Sequence, residues 1–176
     1  MAVREVIVAP DPRLKAKCAP VEAVDDEVRQ LMNDMLESMH ASRGIGLAAP
    51  QIGVHKRVIV CDVARDDEPP RPMKLANPEI VWRSDETITV DEGCLSLPEH
   101  YAEVTRPAKV KIRYLDHQNE IRELDAEGVL STCLQHEMDH LDGILFVDHL
   151  SMLKRKIILR KLAKLKRQEE GAKVPA

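Results

Sequence analysis

The residues best suited to chemistry lie in the run His136-Glu137-Met138-Asp139-His140. Histidines at i and i+4 stand one turn apart on the same face of a helix, so both imidazoles can reach a single metal ion. The glutamate follows the first histidine directly and can reach a water bound to that ion, where it would act as a general base. A chain of this length and composition would show the pattern by chance roughly 0.02 times. A catalytic site also needs a third protein ligand, with one position left for water or substrate. The HExxHxxGxxH solution is excluded: its glycine is present as Gly143, but its third histidine falls at Phe146, which cannot bind a metal. A glutamate about twenty residues downstream is the other familiar solution, and that stretch holds Arg160 and its basic neighbours instead.

The remaining candidates are Cys94, Cys133 and the histidines His40, His55, His100, His117 and His149. Cys94 is the strongest. It sits in Glu92-Gly93-Cys94-Leu95-Ser96-Leu97-Pro98, directly after a β run and before a proline-bounded break. Gly93 permits close backbone approach, and the chain is expected to leave regular pairing there, which frees amide N–H groups. Cys133 lies three residues before His136 and so near the same helix face, and spacing leaves it open.

These side chains need rigid elements to hold them. The HExxH helix is expected from about Asp125 to Asp142, with Gly143 as its stop. An earlier helix starts at Asp25 or Asp26, either of which can cap it; Val28, Leu31, Met32, Met35, Leu36 and Met39 form its apolar stripe. Between the two, short β-rich runs follow one another without helices: 58–61, 80–82, 87–90, 110–114 and 121–124. Turn-prone stretches at Asp66–Pro70 and Asp116–Asn119 separate them, so the sheets should be largely antiparallel. A third, basic helix begins near Leu150. Its apolar residues mark two edges, Leu150, Leu153 and Ile157 on one and Ile158, Leu162 and Leu165 on the other.

Composition narrows the classes. The 176 residues suit one domain, 44% are apolar, and one Trp, two Tyr and one Phe leave an aliphatic core. So few aromatics argue against a nucleic-acid surface built on stacking. The net charge of −4 is uneven: residues 151–176 carry nine Lys/Arg against two Asp/Glu, and residues 1–150 carry 17 against 28. A basic tail on an acidic body suits a polyanionic partner or a solvated face. Four scattered cysteines do not make a secreted disulfide framework. The N-terminus shows no signal-peptide pattern, and no run approaches the roughly 18 apolar residues of a membrane span. The expectation is a soluble protein of a reducing compartment, most simply the cytoplasm.

Three motifs together, Gly44-Ile45-Gly46-Leu47-Ala48-Ala49-Pro50-Gln51, Glu92-Gly93-Cys94-Leu95-Ser96 and Gln135-His136-Glu137-Met138-Asp139-His140, resemble the signatures of the peptide deformylase family, in order and suitably separated. The resemblance spans about residues 7–150 and makes 1–150 the catalytic part, with 151–176 a basic C-terminal helix and tail of the same domain. It implies an α+β fold, largely antiparallel sheets packed around a central metal-binding helix. It also implies one divalent ion, Fe²⁺ natively with Zn²⁺ or another ion as substitute, held by Cys94, His136 and His140. The implied reaction removes the N-formyl group from formyl-methionine peptides and releases formate. Glu137 corresponds to the family's base, and the Gln51 amide and Leu95 N–H to its oxyanion donors. Ile45, Gly46 and Gly93 correspond to substrate contacts, and Val129 and Cys133 to the wall of the methionine pocket. Arg106 is expected to pair with Glu92. Tyr101 stands where some members carry Arg. The basic helix corresponds to the one through which bacterial members meet the ribosome.

Overall fold

Asp25 is extended in backbone and accepts the Val28 amide on its carboxylate, so that of the two expected caps Asp25 starts α1 (Asp26–Ala41). The computed structural model describes residues 2–173. After α1 come β1 (Gly46–Ala48), β2 (Val58–Cys61), β3 (Met73–Arg83), β4 (Thr87–Cys94), β5 (Leu97–Pro107), β6 (Lys109–Leu115) and β7 (Ile121–Glu127). Then follow α2 (Gly128–Leu141), a 3₁₀ turn at Phe146–His149 and α3 (Met152–Lys173).

Five strands form one sheet in the order β1-β2-β3-β6-β7, while β4 and β5 form a separate hairpin, and every pairing is antiparallel. The larger sheet is covered on both faces, which explains why β2 reads as the unbroken apolar run Val-Ile-Val-Cys with all four residues buried. Alternate side chains point opposite ways. Val58 and Val60 pack with Met32, Met35 and Met39 of α1, whereas Ile59 and Cys61 pack with Leu134, Met138 and Leu141 of α2. Burying each such side chain contributes about 1.5–3 kcal/mol. The α+β architecture around the HExxH helix thus stands as expected from the sequence.

Several boundaries differ from the expectation. Asp125 and Ala126 pair with Lys111 and Val110 as the end of β7, so α2 begins at Gly128 and not near Asp125. Gly128, at φ +60, adopts a conformation that breaks the strand. The Gly/Ala loop after Gly44 contains a strand, β1, paired to β2 at the sheet edge. Cys94 does not leave regular pairing: it ends β4, the chain turns at Leu95-Ser96, and β5 returns along β4 with an irregularity between Gly93 and Cys94. Prolines at both ends of β5 hide it from propensity reasoning. At the far end of α2, Gly143 takes φ +74, and a Cβ there would fall 2.3 Å from the Lys15 carbonyl. That close approach seats the N-terminal segment against the helix.

A third apolar cluster joins Ile7, Leu14, Leu97, Val104, Leu145, Phe146 and Val147 to Leu162 of α3. Neither of the two expected edges of α3 packs as a whole: Ile158, Leu159 and Leu162 pack inward with Leu150, while Leu153, Ile157 and Leu165 are exposed. Residues 174–176, the end of the expected tail, lie outside the described residues.

Candidate metal centre

The last turn of β4 and the buried face of α2 bring Cys94, His136 and His140 together. One ligand atom from each lies within 4.8 Å of the others, and Cys94 Sγ is 3.4 Å from His140 Nε2. Both histidines are buried. The other candidate ligands are engaged elsewhere. His40 faces Asp62, His55 bonds the Arg13 carbonyl, and His149 bonds Asp139. His100 lines the cleft beside the cluster, and His117 lies in the β6–β7 turn. Cys133 donates to the Ile45 carbonyl at 3.7 Å; the adjoining Cys61 thiol and burial push its own thiol well up, which keeps it protonated and unlike a metal ligand.

The donor set fits a borderline divalent cation: one thiolate and two imidazoles, with room for a fourth ligand. One buried polar atom supports the fit: Glu137 Oε2, beside the cluster, finds no partner among the described residues. Burial lowers the proton affinity of His140 and so favours the neutral imidazole that binds metal. At His136 burial acts the same way, but Cys94 and Glu92 outweigh it and raise the group. The same anionic neighbours that favour a proton there favour a metal cation.

Glu92 orients His136, accepting from Nδ1 at 2.8 Å. Burial would raise the Glu92 carboxyl, but the hydrogen bonds and charges of Arg106 and His136 hold it at about 2. Arg106 grips it with two bonds, 2.6 Å from Nε and 2.9 Å from Nη2, so the expected pair forms. Phe146, the residue that rules out the HExxHxxGxxH ligand pattern, stacks beside His136 with ring centroids 6.3 Å apart.

Glu137 is the neighbour of a ligand and is itself buried. Burial pushes its carboxyl up to about 7, with the His136 charge opposing. Gln51 is held in one orientation: its Oε1 accepts the Ala48 amide at 2.9 Å, which turns Nε2 toward Ser96 Oγ at 3.1 Å and Cys94 Sγ at 3.5 Å. At Gly46 a Cβ would lie 2.6 Å from Glu137 Oε1 and 2.8 Å from Cys133 Sγ, so any side chain there would displace the Glu137 carboxylate. That contact lets β1 lie directly against the catalytic face of α2.

Two concavities meet at Ile45, Gly93, His136 and Glu137. One, of about 430 Å³, extends past Gln51, Cys94 and Leu95 to Tyr101. The other, of about 330 Å³, is lined by Ile88, Val90, Val129, Thr132 and Cys133. The residues read from the motifs as site residues border one or both, except His140, which lies behind them. Reasoning from sequence missed Ile88 and Val90, although strand alternation places them on the same face as Glu92 and would have identified them. It also missed Ser96, and it assigned no role to Asp139, which accepts from Arg106 Nη1 at 2.9 Å. The Tyr101 ring lies over its cross-strand partner Gly93, where a Cβ would fall 2.5 Å from it.

Comparison with known proteins gives the family and the fold. The sequence model of the polypeptide deformylase family matches residues 3–156. A peptide deformylase of Phenylobacterium zucineum (strain HLK1) is 60% identical over 164 residues, which cover 93% of this chain and 97% of that protein. One from Methylocella silvestris is 55% identical over 175 residues, 96% of this chain and 89% of the other. Among solved structures, peptide deformylase from Ehrlichia chaffeensis in complex with actinonin superposes with a TM-score of 0.91 at 41% identity, covering 95% of this chain and 99% of that one. With most of its length matched by the family's sequence model and by relatives of high identity, and its fold by a solved structure, the chain belongs to the polypeptide deformylase family.

Proposed function

We propose that Cys94, His136 and His140 hold one divalent ion, natively Fe²⁺ with Zn²⁺ or another ion able to replace it. At that ion the protein removes the N-formyl group from peptides that begin with formyl-methionine and releases formate. The observation that carries the site assignment is the convergence of the three ligand atoms within 4.8 Å, next to a buried glutamate whose Oε2 has no partner.

When bound, the ion supplies Lewis-acid polarisation and a lowered pKa for its water. The chain supplies the rest. Glu137 Oε2 takes the proton of the attacking water and returns it to the departing amine. The tethered Gln51 Nε2 and the Leu95 backbone N–H donate to the formyl oxygen as it gains negative charge; each such donor contributes roughly 3 kcal/mol to transition-state stabilisation. The outer edge of β1 at Ile45 and Gly46, with Gly93 opposite, receives the peptide backbone strand-fashion. The methionine side chain fills the smaller concavity against Val129 and Cys133. Support for that placement is its apolar lining, Ile45, Ile88, Val90 and Val129.

We also propose a cytoplasmic location and ribosome association through the basic α3. All four cysteines are free, which fits a reducing compartment. No helix among the described residues is long and apolar enough to cross a membrane.

The test is anaerobic purification, metal analysis and formate release from formyl-Met-Ala. The reading expects one ion per chain, turnover that chelation removes, and loss of stoichiometric metal in Cys94→Ala. Unchanged metal content in that variant would sink the ligand assignment.

A further inference from the structure

We propose that His149 is a positioning residue for the metal site: it holds Asp139, through which Arg106 and Glu92 set the ring of His136. The inference rests on His136 being a metal ligand.

The connection can be followed atom by atom. His136 Nδ1 bonds Glu92 Oε1 at 2.8 Å, and the Arg106 fork clamps both oxygens of Glu92. The free edge of that guanidinium, Nη1, donates to Asp139 Oδ2 at 2.9 Å. The same Oδ2 accepts from His149 Nε2, also at 2.9 Å. Glu92 and Arg106 are almost fully buried, whereas the side chain of Asp139 is 24% exposed and that of His149 36%. A planar guanidinium held at one edge can still pivot about that edge; a second carboxylate at Nη1 removes the pivot. Asp139 borders solvent, so its carboxylate is free to swing toward water unless a second donor holds it. His149 is that donor.

The element carrying His149 is suited to the task. Its 3₁₀ turn also carries Phe146, whose ring stacks beside His136, so one short turn supports the ligand directly at one end and through three side chains at the other. The turn is itself anchored, since Asp148 accepts the Leu145 amide at 2.9 Å and pairs with Lys15. An exposed histidine–carboxylate pair adds little to global stability. Loss of His149 should therefore reveal itself at the metal and leave the fold intact. Partners that touch a ligating histidine typically govern metal affinity by 10–100-fold, and His149 acts at one further remove.

The experiment uses the full chain loaded with Zn²⁺ or Co²⁺, its affinity measured by competition with a chromogenic chelator. His149→Leu should weaken Zn²⁺ binding about 3–10-fold and alter the visible absorption of bound Co²⁺. It should lower kcat on formyl-Met-Ala while leaving KM nearly unchanged. His149→Gln keeps a donor of similar reach and should restore all three. Asp142→Asn, which breaks an exposed pair with Arg57 at the same helix end, should leave metal affinity as it was. Wild-type affinity and spectrum in His149→Leu would overturn the proposal, and so would an equal loss in Asp142→Asn, which would mean general loosening of the helix end. If His149→Leu does not fold, His149→Ala takes its place under the same criteria. A wild-type protein that binds no stoichiometric metal would overturn the site assignment, and this inference with it.

Discussion

At the scale of single residues, the site depends on side chains whose surroundings change their ordinary chemistry. Glu137 is the clearest case. Burial pushes its carboxyl up to about 7, close to the optimum for a general base at neutral pH. The base acts only when deprotonated, so kcat/KM should fall on the acid side of its pKa. A bound cation lowers that pKa and moves the limb below 7. Glu137→Gln should retain its metal, lose about 10²–10⁴-fold in kcat and lose the acid limb from whatever activity remains. Full turnover in a metal-loaded Glu137→Gln protein would remove the glutamate from its role. Gln51 shows the same dependence on its neighbours. Its side chain is nearly fully buried, and the Ala48 amide decides which end of it faces the cluster.

At the scale of elements, the chemistry depends on how closely β1 and α2 approach and how firmly the β4–β5 hairpin is tied to α2. Gly46→Ala puts a Cβ 2.6 Å from Glu137 Oε1 and 2.9 Å from its Cγ. The atoms in the way are side-chain ends, so the fold should survive with a loss of about 1–3 kcal/mol. The displaced carboxylate should cost far more in rate, about 10²-fold in kcat. Equal kcat in Gly46→Ala and wild type would show that β1 does not set the position of the base.

The hairpin is tied by the ion pair of Glu92 on β4 and Arg106 on β5, and Arg106 also reaches Asp139 on α2. Glu92 titrates at about 2 in the folded chain, below the ordinary range near 4.5. A depressed carboxyl stabilises the fold fully above that ordinary range, and the contribution is lost as pH falls toward 2. Glu92→Gln leaves a buried guanidinium short of a carboxylate and should cost about 3–5 kcal/mol at pH 7. Denaturant unfolding of the metal-free proteins should show the two curves converging as pH drops from 5 toward 2. A gap that persists undiminished at pH 2.5 would contradict the assignment.

At the scale of the whole molecule, α3 has a packed apolar edge and an exposed basic one. Leu162 is buried with Leu145 and Phe146, next to the element that supports His136. Cutting the helix away would therefore disturb the catalytic body, and truncation is a poor probe of ribosome binding. Replacing the exposed Lys156, Arg160, Lys161 and Lys164 by Gln leaves that packing untouched. The variant should co-sediment less with ribosomes and with a shallower dependence on salt, while its kcat/KM on formyl-Met-Ala stays within about twofold. Unchanged co-sedimentation would remove the ribosome from its partners.

How much was legible beforehand follows from the range of each interaction. Local patterns carry their own information: the i, i+4 histidines, the Asp25 cap, the apolar stripe of α1 and the Gly143 stop were readable because each acts within one or two turns. Covalent order in the three motifs was enough to identify the family. Reasoning from spacing alone left Cys94 and Cys133 open, because only the fold puts Cys94 Sγ 3.4 Å from His140 while setting Cys133 beside Cys61 and Ile45. The start of α2 was misplaced because Asp125 and Ala126 take their structure from cross-strand bonds to residues about fifteen positions away. β5 was hidden for the same reason, its alternation masked by terminal prolines and stabilised by β4. The types of the reacting groups are thus written in the sequence. Tertiary structure decided which end of Gln51 faces the histidines and that His149 stands at the end of the connection to His136, and it brought to them the cysteine that spacing had left open and the motifs had implied. Those outcomes depend on distances between segments that are far apart in the chain.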